Sequence, residues 1–193
     1  MATSSQQAGY LRPTASPAYN DPLDDILQEA IVGITGIPGN LVRPRWQPEP
    51  PQQPSFDTNW CAFGIVRSVV DAFAYEGHDP AGEGTSSVDR DELLYVLHSF
   101  YGPDSHAFCE QFRDGFEVGQ NRAALLAQGV ALMEVGEATI LPALLKEKWV
   151  KRVDVTVTYR RRTSRVYQVR TIQSADAVLD NERYLTPINV PNA

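Results

Sequence analysis

A chain of 193 residues with a hydrophobic share of 42% can bury a core without disulfide or metal staples. Its formal charge of −7 argues against nucleic-acid binding by bulk charge. Its two cysteines, Cys61 and Cys109, match no metal-ligand spacing and make no disulfide framework, so they read as reduced, partly buried thiols.

Residues 1–20 are polar, carry two prolines and lack the apolar content to order themselves, so they are predicted to form a flexible N-terminal arm. They show no charged region followed by an apolar one, so no secretion signal is expected, and no apolar run reaches membrane-spanning length. The stretch "NDPLDDILQEAIVGITGIPGN" predicts a helix. Asn20 or Asp21 can cap it, Pro22 suits its first turn, and Asp24 and Asp25 suit its positive end. Leu23, Ile26, Leu27, Ala30, Ile31 and Ile34 give one apolar face, and Gly36, Pro38 and Gly39 stop it. Gly33, Gly36 and Gly39 are not a phosphate loop, because that motif opens a helix and here the helix ends.

"LVRPRWQPEPPQQP" follows, too rich in proline for a helix or a central strand, and reads as an extended strap. "NWCAFGIVRSVVDAFAY" predicts a strand with Cys61, Phe63, Ile65 and Val69 on one face and Ala62, Val66 and Val70 on the other; Arg67 interrupts the first set. "EGHDPAGEGTSSVD" reads as a long polar loop, and "RDELLYVLHSFYG" as a second strand closing an antiparallel hairpin. Asp104 or Ser105 can cap the next helix, whose Phe108, Phe112 and Phe116 form an aromatic stripe suited to packing on a sheet. Gly119 is expected to end it. A short second helix in "QNRAALLAQG" stops at Gly129.

After a short strand at "VALMEV", residues 149–159 alternate. Trp149, Lys151, Val153, Val155, Val157 and Tyr159 share one face, and Val150, Arg152, Asp154, Thr156 and Thr158 share the other. A bend is predicted at Thr163 and Ser164, then a partner strand "SRVYQVRTI", then a C-terminal tail or docking arm over 176–193. The fold class is therefore α+β: an antiparallel or mixed sheet with helices on one face, as a single domain over 21–175 between two arms.

No nucleophile, base and charge-stabilising group come together in this pattern. Cys109 and His106 are helical neighbours with no third partner, which leaves a small cysteine hydrolase as a remote alternative. His78, His98 and His106 have no ligand spacing with the cysteines or with one another. From Leu144 to Arg170 nine Lys or Arg face only Glu147 and Asp154. That segment is either a solvated hairpin or a surface for phosphate or an acidic partner. Arg160, Arg161 and Arg162, near the predicted bend, are expected to face water, a partner or DNA.

The junction "RPRWQPEP" to "NWCAFGI", the stretch "SFYGPDSHAFCEQFRDGFEVGQNRAALLAQGVAL" and the strand "KWVKRVDVTVTY" together resemble the neck or tail-terminator proteins of tailed bacteriophages over about residues 21–175. The resemblance implies a structural virion protein rather than an enzyme, with no metal or cofactor. It implies a hexameric ring that caps the tail tube and joins it to the neck, with genomic DNA passing through the lumen unread. Its partners would be its own copies, the tail tube protein, a collar or head-completion protein and, in contractile tails, the sheath; none is a membrane. Another connector or collar protein is the nearest alternative. With that role, Arg43, Arg45 and Trp46 on the strap and Arg160, Arg161 and Arg162 on the basic strand are the expected interface residues.

Overall fold

The computed structural model describes residues 4–49, 51–145, 147–172, 175–180 and 185–190, which divide into two compact units. The larger comprises residues 17–74 and 90–163; the smaller comprises the described parts of 1–16, 75–89 and 164–193. In chain order the elements are α1 (Asp21–Thr35), β1 (Val42–Pro44), β2 (Trp60–Val70), β3 (Tyr75–Asp79), β4 (Thr85–Tyr101), α2 (Ser105–Gly115), α3 (Gly119–Ala127), β5 (Val130–Val135), β6 (Thr139–Ile140), β7 (Ala143–Leu145), β8 (Lys148–Val150), β9 (Arg152–Tyr167), β10 (Ala175–Asp180) and β11 (Leu185–Val190). The main sheet runs β1-β2-β4-β9-β5, with β3 on β4 and β6 on β9. β1 lies parallel to β2, whereas β2 and β4 are antiparallel, so the sheet is mixed. The α+β class expected from the sequence is the observed one.

In the larger unit α1 ends as its sequence dictates. Gly36 takes φ 73°, and its N–H donates to the Val32 carbonyl at 2.8 Å. At the other end the Asn20 side chain caps nothing; its carbonyl instead accepts from the N–H groups of Leu23 and Asp24. Cys61 and Phe63 of β2, Leu94, Val96 and Phe100 of β4, and Val153, Val155, Val157 and Tyr159 of β9 line one sheet face. Leu23, Leu27 and Ile31 of α1, Cys109, Phe112 and Phe116 of α2 and Leu125 of α3 cover it. Each such side chain contributes about 1.5–3 kcal/mol when buried, which is why the helical periodicity was a reliable guide to α1 and α2.

Several expectations are corrected. The register of β2 against β4 shifts between Ile65 and Arg67, a bulge at Val66. Beyond it the faces exchange: Ser68 points to the core side, where its Oγ donates to Glu92, while Arg67 lies over the Tyr95 ring on the other face. Val69 and Val70 therefore do not keep the faces their spacing predicts. Gly119 does not end α2, which stops at Gly115; it opens α3. No side chain caps α2 at Asp104. There is no bend at Thr163 and Ser164 and no separate partner strand, because β9 continues to Tyr167. Trp149 belongs to the small β7–β8 pair rather than to β9.

In the smaller unit the predicted loop 76–89 is largely strand. β3 pairs with the first residues of β4, Tyr75 opposite Asp89 and Asp79 opposite Thr85, and only the tip between them turns. Gly82 and Gly84 supply its positive φ, and a Cβ on Gly84 would stand 2.6 Å from the Val169 carbonyl oxygen. The N-terminal residues lie along the end of β9: the N–H of Thr14 donates to Val166 O at 2.7 Å and that of Ser5 to Gln168 O at 3.0 Å. Of the tail expected over 176–193, residues 181–184 and 191–193 lie outside the described residues, and the rest belongs to the antiparallel pair β10–β11.

The core holds one titratable group with a calculable consequence. His98 is fully buried between Phe63 and Phe112, with the Tyr159 hydroxyl 3.5 Å from Nε2. Burial drives its pKa down to about 3. A histidine neutral in the fold but free to protonate when unfolded favours folding above its unfolded pKa. That contribution is lost as pH falls from about 6.5 toward the folded value. Urea titrations are expected to show about 2 kcal/mol less stability at pH 5 than at pH 7.5 from this group alone. A pH profile as steep in a His98→Leu variant as in the parent would contradict it.

Candidate interaction site

The strap is held by its own backbone and arginines. β1 pairs Val42 with Cys61 and Pro44 with Phe63, and the N–H of Arg45 extends the pairing to Phe63 O at 2.7 Å. Pro44 has no N–H to offer, which restricts this strand to the sheet edge. Arg43 ties the strap's ends together: Nε donates to Asn40 O at 2.9 Å and Nη1 to Gln52 O at 2.8 Å. Arg45 Nη2 donates to Ser99 Oγ on β4. Trp46 stands at φ 61°, unusual for a tryptophan, and its side chain remains 70% exposed with one ring edge over Gly64. A Cβ at Gly64 would lie 2.6 Å from that ring, so the glycine makes the seat.

Beside the strap, Arg152 binds Asp154 through two bonds, Nε to Oδ1 at 2.8 Å and Nη2 to Oδ2 at 2.6 Å. The carboxylate holds the guanidinium more firmly protonated despite partial burial. The Arg152 guanidinium lies 5.5 Å from the centre of the Tyr101 ring, which stacks on Trp60 at 4.2 Å. Lys148 covers the Phe56 ring at 4.1 Å. Asp21, Asp24 and Asp25 line a hollow together with Pro44, Gln47 and Pro48 of the strap. Burial first, then its two neighbours, raises the Asp24 pKa.

The three arginines of β9 behave differently. Arg160 pairs with Asp91, and Arg162 is exposed with a partner of its own. Arg161 turns inward and is 6% exposed. Its Nε donates to Glu92 at 2.8 Å, Nη1 donates to Ala18 O, and its guanidinium lies over the Tyr19 ring at 4.3 Å. The expectation that all three face outward is therefore wrong for Arg161. Strand alternation puts it on the core face with Tyr159, and Glu92 arrives there by the same alternation along β4. The structure thus gathers Arg43, Arg45 and Trp46 on one strap, and sets Arg160–Arg162 apart at the Asp91–Glu92 stretch of β4. Sequence reading missed Ser99, Asp154 and Gly64. Asp154 gave no local signal, because it sits where the alternation of β9 already places polar residues, and its partner Arg152 is two residues away on the same face.

The cysteine pairing finds no support. Cys109 is fully buried, and burial pushes its thiol up to about 12, so almost no thiolate forms at neutral pH. His106 is exposed and faces Glu110 at 3.6 Å. Among the described residues no cluster of His, Cys, Asp or Glu could hold a metal ion, and no helix is long and apolar enough to cross a membrane.

The family described as phage neck terminator protein matches residues 21–183. The chain belongs to the phage neck terminator family. That membership makes it a structural component of the phage neck and places it in the virion among other head and tail proteins. The match spans the strap, the core helices and β9, the same regions that carry the resemblance in the sequence. No match was found among curated proteins.

Proposed function

We propose that copies of this chain close into a hexameric ring that caps the tail tube and joins it to the neck, leaving a lumen through which DNA passes without being read. The family match over residues 21–183 carries this reading. The preformed strap supports it. Trp46 is exposed and pre-positioned, and tryptophan and arginine are favoured at interface centres because they contribute large contact area at low ordering cost. Arg43 and Arg45 hold the strap in place beside it, and Arg160 and Arg162, flanking the inward Arg161, are the outward basic positions of the second contact. The neighbours are the tail tube, a collar or head-completion protein, and the sheath where the tail contracts; assembly takes place in the host cytoplasm. Neither a cofactor nor catalysis takes part in this role.

Native mass spectrometry of the purified chain tests the stoichiometry. Six copies are expected, with a Trp46→Ala variant shifting the distribution toward single subunits at unchanged thermal stability. Twelve copies would select a connector or collar role instead. A single subunit at every concentration would overturn the ring.

A further inference from the structure

The main sheet has two unequal edges. β1 covers only Cys61–Phe63 on the outer side of β2, and no described strand pairs with the outer side of Ile65–Val70. At the other end of the order, β5 has nothing beyond it among the described residues. Unpaired edges expose rows of N–H and C=O groups and are normally guarded. These carry exposed apolar side chains instead: Val66 49%, Val70 45% and the adjoining Phe73 90% on one, Met133 54% on the other. The two stretches have the same length. Each also holds one bulge, at Val66 and at Met133, so an arbitrary flat strand fits either poorly.

Their charges are complementary. Among the described residues Arg67 has no carboxylate partner and lies over the Tyr95 ring, and Glu134 has no cation partner. Two copies meeting β2 to β2 would bring Arg67 against Arg67, which like-charge repulsion disfavours. A head-to-tail contact, β2 of one copy antiparallel to β5 of the next and offset by one residue from flush, sets Arg67 opposite Glu134 and leaves one edge of each kind free for the next subunit. Such heterologous contacts close into rings when the rotation between copies closes. We propose that neighbouring subunits join by pairing the Ile65–Val70 edge of one copy with the Val130–Val135 edge of the next, making a sheet continuous from subunit to subunit. This rests on the ring reading above and names the surface that closes it.

The test uses the full chain, with assembly followed by native mass spectrometry and folding by circular dichroism. Asp71 N–H donates to Asp91 O, so the N–H of Val70, one residue earlier, points away from β4. Val70→Pro therefore removes a donor only from the free edge. A folded Val70→Pro variant is expected to lose at least ten-fold in ring population. Arg67→Glu is expected to do the same and to recover when combined with Glu134→Arg. If Val70→Pro itself fails to fold, the charge pair decides: recovery supports the edge contact and its failure overturns it. Rings of parental abundance in both single variants would overturn the edge pairing while leaving the ring intact. A parent chain that forms no ring would overturn both.

Discussion

Replacing Arg161 by methionine is expected to destabilise the larger unit by about 3–5 kcal/mol, the usual cost of stranding one partner of a buried ion pair. The partner left behind is Glu92, 3% exposed, which faces Arg161, the Ser68 hydroxyl and the Tyr19 hydroxyl. The loss extends further, because Arg161 also donates to Ala18 O and supports the Tyr19 ring, so the segment entering α1 loosens with it. An Arg161→Met/Glu92→Leu double variant removes both charges and is expected to regain most of the stability. Ser68 and Tyr19 are accessible enough to bond water instead. Denaturant unfolding of the three proteins is the check. A loss below about 1 kcal/mol in the single variant would mean that water reaches Glu92.

Phe112→Ala is expected to cost about 3–5 kcal/mol, because it empties the point where α2 meets the sheet. Phe112 is fully buried, with ring centres of His98 and Phe116 at 4.8 Å and of Phe100 at 5.6 Å. These neighbours come from a strand and a helix turn that cannot both collapse inward, so a cavity remains. Thermal unfolding is expected to fall by on the order of 10 °C. Phe108, at the solvent edge of the same stripe, should cost far less when truncated. Equal losses at the two positions would contradict the placement of the core.

The helices and strand pairs were legible because their signals are local. Leu23, Leu27 and Ile31 repeat with the helical period, and Val153 through Tyr159 alternate cleanly. What failed depended on distant partners. Arg160–Arg162, beside the bend expected at Thr163 and Ser164, were expected to face outward, yet Asp91 and Glu92, far away in sequence, accept Arg160 and Arg161. The glycines of 76–89 suggested a loop, although only those near the tip turn and β4 supplies the pairing for the rest. Arg67 interrupting the apolar set was the trace of the Val66 bulge, but a bulge is defined by its partner strand and one strand alone cannot declare it. The strap was readable as extended from its prolines. That Trp46 stays exposed, with one ring edge over Gly64, depended on a contact with β2 that the strap alone does not show.

The proposed ring on the tail can be seen by electron microscopy of isolated tail tubes incubated with the purified chain. A closed ring with an open centre, seated on one end of each tube and preventing further tube growth, is the expected image. Tubes that keep growing with bare ends, beside protein that stays as single subunits, would contradict it.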